Sequence, residues 1–239
     1  MPRAGLTTLR VTEQAEDIAD EVGLSNLTLA AVAARLGVRL PSLYKHVDGM
    51  DALQRLVAIR AKTELAAVLG QAAVGKAGTD ALRAMSVACR AWALRHPGRY
   101  AATVRAPEPA DAEHTSASNA IISVAFAVLT GYNLAGDDAV DAVRALRATL
   151  HGFITLEQAG GFGLPADVER SFDRLVAGLS MTLSTYSGGQ PPTSAVLQRR
   201  GDARKADITS RPSSGSISPT ARPVPERDRR HLLQDPPRS

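Results

Sequence analysis

Residues 28–47 read TLAAVAARLGVRLPSLYKHV, and the spacing of their apolar side chains decides the fold. Val32, Ala33 and Leu36 share one helical face, Gly37 and Val38 interrupt it, and Leu43 and Val47 resume it four residues apart. The pattern predicts two short helices joined by a tight turn. Thr28 suits the cap of the first, because its hydroxyl accepts an orphan backbone N–H, and Gly37 stands where that helix must end in a left-handed conformation. Pro41 falls near the start of the second, where its missing N–H removes no helical bond. An ordinary helical hairpin has this outline, and so does a helix-turn-helix, whose second helix enters the DNA major groove. In the latter, a few side chains near the N-terminus of the second helix reach base edges. Arg39, Leu40 and Ser42 hold those places. Arg39 offers a bidentate contact to guanine, Ser42 a bond to either base type, and Leu40 an apolar contact to a thymine methyl.

The run SLYKHV at 42–47, followed by GMDAL at 49–53, resembles the end of the recognition helix in the TetR family, where L-Y-x-H/Y-V/F leads into the next helix. The resemblance spans about residues 6–185 and is strongest over 28–53. It implies an all-α protein with a helix-turn-helix DNA-binding domain at 1–49 and a helical ligand-binding and dimerisation domain at 50–187. It also implies a sequence-specific regulator of transcription: a repressor of cytoplasmic location that binds double-stranded DNA as a homodimer on a palindromic operator and responds to a small-molecule inducer. Matched to the family motif, Tyr44, Lys45 and His46 serve mainly the DNA backbone, and Thr28 comes within reach of a phosphate. Relatives commonly carry a phosphate-binding Lys at the start of the linking helix; here Met50 stands there, leaving the free N–H groups of the helix N-terminus. RHPGRY at 95–100 resembles the H-P-x-x-Y/F junction between two body helices. LHGFITLEQAGGF at 150–162 resembles the W-H-G type C-terminal domain of one subgroup, with Leu150 in place of the usual Trp.

Composition fits packed helices. Of 239 residues 44% are hydrophobic and only 4% aromatic, with Ala, Leu and Val dominant. No apolar run approaches the roughly 20 residues that cross a bilayer, and MPRAGLTTLR lacks an apolar signal core, so no membrane partner is expected. The single Cys89, between Met85 and Trp92, reads as a buried small hydrophobe. The net charge of +4 is a property of the tail: from Gly188 onward ten basic residues face five acidic ones. Residues 1–60 hold seven of each sign, so a DNA-binding face must arise by segregation, with Glu13, Glu16, Asp17, Asp20 and Glu21 on the first helix and Arg35, Arg39 and Lys45 around the turn.

Thr8 to Val22 carries Val11, Ala15, Ile18, Ala19 and Val22 on one stripe with acids opposite. From Met50, Leu53, Leu56, Val57, Ala61, Leu65 and Val68 recur at helical spacing, and 70–78 ends that helix before a cap at Thr79 or Asp80. Leu82, Met85, Cys89, Trp92 and Ala93 stripe the next helix, which ends before Pro97. Residues 116–132 read as a buried helix. Residues 137–158 place Val140, Val143, Leu146, Leu150 and Phe153 on one face and Ala142, Ala145, Thr149 and Gly152 on another, and 166–184 closes the bundle with Val168, Phe172, Val176, Leu179 and Leu183. These last two helices are expected to form the dimer. Residues 188–239, rich in Gly, Pro, Ser and Arg, read as a disordered basic tail.

A ligand pocket is expected among residues 80–160, with Trp92, Tyr100, Phe126, Tyr132, His151 and Phe153 as candidates, each also at home in a core. The five histidines show no metal-ligand spacing, and no cofactor is expected. An enzyme is disfavoured: G-x-S-x-G, G-x-x-x-x-G-K-S/T and H-E-x-x-H are all missing. The rival class is a helical adaptor without specific DNA binding.

Overall fold

The computed structural model describes residues 5–186, and the tail at 188–239 lies outside them. The described residues form eight α-helices and three short 3-10 turns, with no strand among them.

Helix α1 (Thr8–Val22) is capped by Thr7, whose hydroxyl accepts the Arg10 N–H at 3.1 Å. Val11, Ala15, Ile18 and Ala19 are buried as the stripe requires, but Val22 is 48% exposed because the last turn runs past the core. The acids do not all face water. Glu16 is buried and accepts from Arg60 at 2.7 Å; Asp20 accepts from the Arg99 backbone N–H at 2.8 Å and from its side chain at 2.7 Å. Burial raises the Glu16 carboxyl above its ordinary value, and the bond to Arg60 opposes that rise. These arginines come from helices far along the chain, so a stripe computed on α1 alone misses them.

Helix α2 (Leu29–Leu36) follows a 3-10 turn at Leu24–Asn26. Thr28 caps it, accepting the Ala31 N–H at 3.1 Å, and Gly37 ends it in the left-handed region at φ 68°. The next segment, Leu40–Lys45, is a 3-10 helix where the spacing predicted an α-helix. Its N–H groups reach back three residues, Ser42 to the Arg39 carbonyl at 2.9 Å and His46 to that of Leu43 at 2.8 Å. A run this short tolerates the tighter 3-10 winding.

Helix α3 (Met50–Ala73) serves two cores. Leu53, Val57 and Ala58 close the core formed by α1, α2 and Leu43, while Ala61, Leu65 and Leu69 enter the body core. One rigid rod thus joins the helix-turn-helix to the bundle behind it.

Helix α4 (Gly78–Arg95) starts without a side-chain cap; Thr79, expected there, instead pairs its hydroxyl with Ser180 at 2.9 Å. Pro97 opens α5 (Pro97–Ala102), and the junction presses against α1. A Cβ on Gly98 would overlap the Ala19 carbonyl and approach the Asp20 nitrogen to 2.7 Å.

Helix α6 (Ala112–Leu129) continues through a 3-10 turn to Tyr132. It is half-covered rather than buried: Ala117, Ala125, Val128 and Leu129 face inward, while Ser116, Asn119, Ala120, Ser123 and Ala127 face out. By length and a mean hydropathy of 1.2, Ala112–Tyr132 does reach the range of a membrane span, contrary to the sequence reading. Ile121, Ile122, Val124, Phe126, Val128 and Leu129 carry that value, and the helix packs along α3, α4 and α7.

Helices α7 (Gly136–Gln158) and α8 (Val168–Tyr186) complete the body. On α7 the core takes Ala139, Ala142, Leu146, Leu150 and Ile154, so Ala142 lies inside and Phe153 only at the edge. On α8, Phe172, Val176, Leu179 and Leu183 point inward.

Candidate nucleic-acid interface

Leu43, with none of its surface exposed, and Val47, with 4%, anchor the recognition segment to the core behind it. The His46 carbonyl accepts the Thr8 hydroxyl at 3.1 Å, tying the segment's end to α1. With that face fixed, the opposite one turns outward: Arg39, Leu40, Tyr44 and Lys45 are exposed, and Ser42 and His46 half-buried. Among the described residues, the side chains of Arg39, Ser42, Tyr44, Lys45 and His46 make no hydrogen bond or ion pair within the chain. Their donors are therefore available to a phosphate or a base edge. Thr28 is exposed, and its cap bond uses the oxygen as acceptor, so its O–H proton is still free to donate.

Arg35 does not join this group. Its guanidinium makes a two-pronged contact with Glu21 of α1, at 3.0 and 2.5 Å, and holds that carboxyl below its ordinary value. The positive edge is reduced to Arg39 and Lys45. At the start of α3, where Met50 stands, no side chain caps the free N–H groups, and the nearby Asp51 carboxylate is turned to Arg105 at 2.8 Å.

The six body candidates do not line one chamber. Trp92 is 1% exposed and donates its indole N–H to Glu64 at 3.0 Å. Tyr100 Oη lies 3.2 Å from His151 Nδ1. Tyr132 Oη meets Ser180 Oγ at 2.7 Å, Phe153 stacks between Phe162 and Phe172 at 4.7 and 5.1 Å, and Phe126 is half-buried. Two open cavities lie elsewhere. One of about 380 Å³ is bounded by Ala73, Val74, Lys76, Ala81, Val124 and Val128. The other, about 370 Å³, lies between head and body beside Leu24, Gln54, Ala102, Arg105 and Glu108. Alanines and glycines make up most of the first wall and three alanines line the second, and nothing in the sequence pattern marks either. Among the described residues no group of His, Cys, Asp or Glu is arranged to hold a metal ion.

Residues 82–179 match the family described as tetracyclin repressor-like, C-terminal domain. The chain is 36% identical over 193 residues to the uncharacterized HTH-type transcriptional regulator Rv0681 of Mycobacterium tuberculosis, covering 80% of this chain and 88% of that one. It is 29% identical over 188 residues to the uncharacterized HTH-type transcriptional regulator YobS of Bacillus subtilis, covering 79% and 94%. Among solved structures, apo ActR from Streptomyces coelicolor shares the fold with a TM-score of 0.61 at 20% identity, over 77% of this chain and 98% of that one. ActR in complex with (S)-DNPA aligns at 0.57 and 19%, over 77% and 100%. Rv0681 and YobS are named as HTH-type transcriptional regulators, and ActR shares the all-helical fold. The chain belongs to the TetR family of DNA-binding transcriptional regulators.

Proposed function

We propose that the protein is a ligand-responsive repressor, working in the cytoplasm as a homodimer on a palindromic operator, with residues 1–49 as its reading head and 50–187 as its ligand-binding and dimerisation domain. The observation that carries the DNA-reading part is the unpartnered row Arg39, Leu40, Tyr44 and Lys45 on a segment locked from behind by Leu43 and Val47. Arg39, Leu40 and Ser42 are assigned to bases, and Thr28, Tyr44, Lys45 and His46 to the backbone. A ligand role for Trp92, Tyr100, Phe126, Tyr132, His151 and Phe153 is part of the same proposal; support for a ligand comes from ActR, which has the same fold and is known with (S)-DNPA bound.

The outer faces of α7 and α8 support dimerisation. Leu156 is 52% and Met181 74% exposed, and around them Ala148, Gly152, Ala177 and Gly178 are exposed and small. An apolar patch of small residues on two neighbouring helices allows close approach of a second copy across a two-fold axis. Leu179 of the same helix is buried in the protomer core, so Leu179→Glu would test folding instead. Met181→Glu is the apt probe. The parent should sediment as a dimer at micromolar concentration and select, from a random DNA pool, paired half-sites about 34 to 36 Å apart or a multiple of that. Met181→Glu should sediment as a folded monomer with weakened operator binding. A monomeric parent, or selected sites without two-fold symmetry, contradicts the proposal.

A further inference from the structure

The cavity between head and body takes one wall from each. Leu24, in the 3-10 turn before α2, belongs to the head, and Ala106 and Glu108, in the loop after α5, belong to the body; Gln54 of α3 and Ala102 of α5 lie between them. Its volume of about 370 Å³ falls in the range of small-molecule sites, roughly 300 to 1,000 Å³. Ala102 is also part of the core behind the recognition segment, so this wall is continuous with that core. The body wall is held through Arg105. The Arg105 carbonyl accepts from Lys62 at 2.6 Å, a lysine 3% exposed whose other acceptors, His114 Nε2 and Ser118 Oγ, are also neutral. The Arg105 guanidinium grips both oxygens of Asp51, in the first turn of α3, at 2.8 and 3.0 Å.

The charges around the cavity do not all cancel. Asp51 is paired with Arg105, and Asp111 and Glu113 are paired with Arg55. Glu108 differs from these three acids. Among the described residues its exposed carboxylate makes no hydrogen bond or ion pair within the chain, and neither does the half-buried amide of Gln54. The cavity therefore offers leucine and alanine walls, one amide and one unmatched negative charge, while the lining cation, Arg105, already holds a carboxylate. An anion placed there meets a like charge on Glu108, whereas a cation meets its complement.

We propose that this cavity takes a small organic cation, a compact apolar body carrying an amine, with the ammonium on Glu108 and Gln54 and the apolar part against Leu24, Ala102 and Ala106, and that its occupation weakens operator binding. This deepens, and rests on, the ligand-responsive reading given above. A molecule that touches Leu24 on one side and Ala106 on the other fixes the separation of head and body at this joint. It releases DNA to the extent that it prefers a separation other than the DNA-bound one, and operator must weaken the ligand by the same factor.

The full chain should be titrated by calorimetry and by thermal unfolding with 1-naphthylmethylamine and tryptamine, with the neutral 1-naphthylmethanol and with 1-naphthoate, and its operator affinity measured in the presence of each. An amine should bind and stabilise the fold, the alcohol should bind at least about fivefold more weakly, and the acid should not bind. Glu108→Gln, an exposed change, should bring the amine down to the level of the alcohol and leave the alcohol unaltered. Asp138→Asn, which removes an exposed acid from α7, should change neither. Ala106→Trp, filling the cavity from an exposed position, should exclude amine and alcohol alike while unfolding at the temperature of the parent. Saturating amine should weaken operator binding at least about fivefold in the parent and not in Ala106→Trp. Equal affinity for amine and alcohol, an amine affinity unchanged in Glu108→Gln or in Ala106→Trp, or no binding of either amine at millimolar concentration overturns the site. An amine held through Glu108 that leaves operator affinity unaltered keeps the site and removes the ligand-responsive reading. Operator release by the alcohol or the acid, equal in parent and Ala106→Trp, keeps that reading and overturns the cation site.

Discussion

Gly98→Ala is expected to destabilise the protein by about 3 kcal/mol or more, because the added methyl would have to occupy space held by backbone rather than by a movable side chain. The α4–α5 junction lies directly on α1, with the Ala19 carbonyl and the Asp20 nitrogen in the path of any Cβ at this position. Asp20 tightens the joint by accepting from His96 Nδ1 at 3.1 Å and twice from Arg99. Relief of the clash requires α1 to move off the junction, which breaks those bonds and shifts the helix that supports the recognition segment. Urea unfolding and operator binding should therefore fail together. Gly70→Ala in α3 is the control: its Cβ would meet Val124 of α6 at an ordinary 3.7 Å, so it should be neutral or stabilise by up to about 1 kcal/mol through helix propensity. A Gly98→Ala variant as stable as Gly70→Ala would show that the junction is looser than described.

Arg90→Ala is expected to cost about 3 to 5 kcal/mol, the range for removing one partner of a buried ion pair. The Arg90 side chain is 9% exposed, clamps both oxygens of Glu157 at 2.6 Å and reaches Glu169 at 2.8 Å, with its guanidinium 4.9 Å from the Phe172 ring centre. It thereby ties α4, α7 and α8 together at one point. Alanine leaves the Glu157 carboxylate half-buried beside Phe153 and Phe172 with nothing to offset its desolvation. Arg90→Lys should recover only part of the loss, since an ammonium cannot make the two-pronged contact. The double change Arg90→Met with Glu157→Leu should recover most of it, because the loss comes from the orphaned charge rather than from the pair's net value. If Arg90→Ala unfolds within about 1 kcal/mol of the parent in denaturant titration, the cluster is a solvated surface pair and the burial argument fails.

Local physics made the head legible. The Thr28 cap, the left-handed Gly37 and the Pro97 restart each follow from a single residue's backbone chemistry, and the structure has all three. Periodicity also placed Val11, Leu53, Leu82 and Phe172 in their cores. What failed depended on partners distant in sequence. Glu16 and Asp20 look like solvent-facing acids until Arg60 and Arg99 are folded against them, and Arg35 looks like a free cation until Glu21 takes it. The 3-10 winding of 40–45 was hidden because apolar spacing of four residues does not report which carbonyl each N–H will choose. In the body, aromatic identity alone nominated Trp92 and Tyr132, and the same apolar spacing serves a packed core and a pocket wall alike. The uncompensated Lys62 could not be singled out, since its burial is made by α6 and the loop before it.

The central claim, that the row from Arg39 to Lys45 reads DNA, is tested most directly by measuring affinity for the selected operator and for an unrelated duplex across a range of salt, in the parent, Lys45→Ala and Arg39→Ala. Lys45→Ala should weaken both duplexes alike and lower the salt slope by about one, as loss of a single phosphate contact does. Arg39→Ala should cost roughly 1 to 3 kcal/mol on the operator, leave the unrelated duplex nearly unchanged and relax the preference at one base position. Parent-like affinity, slope and selectivity in both variants would contradict the account and place the DNA-reading surface elsewhere on the protein.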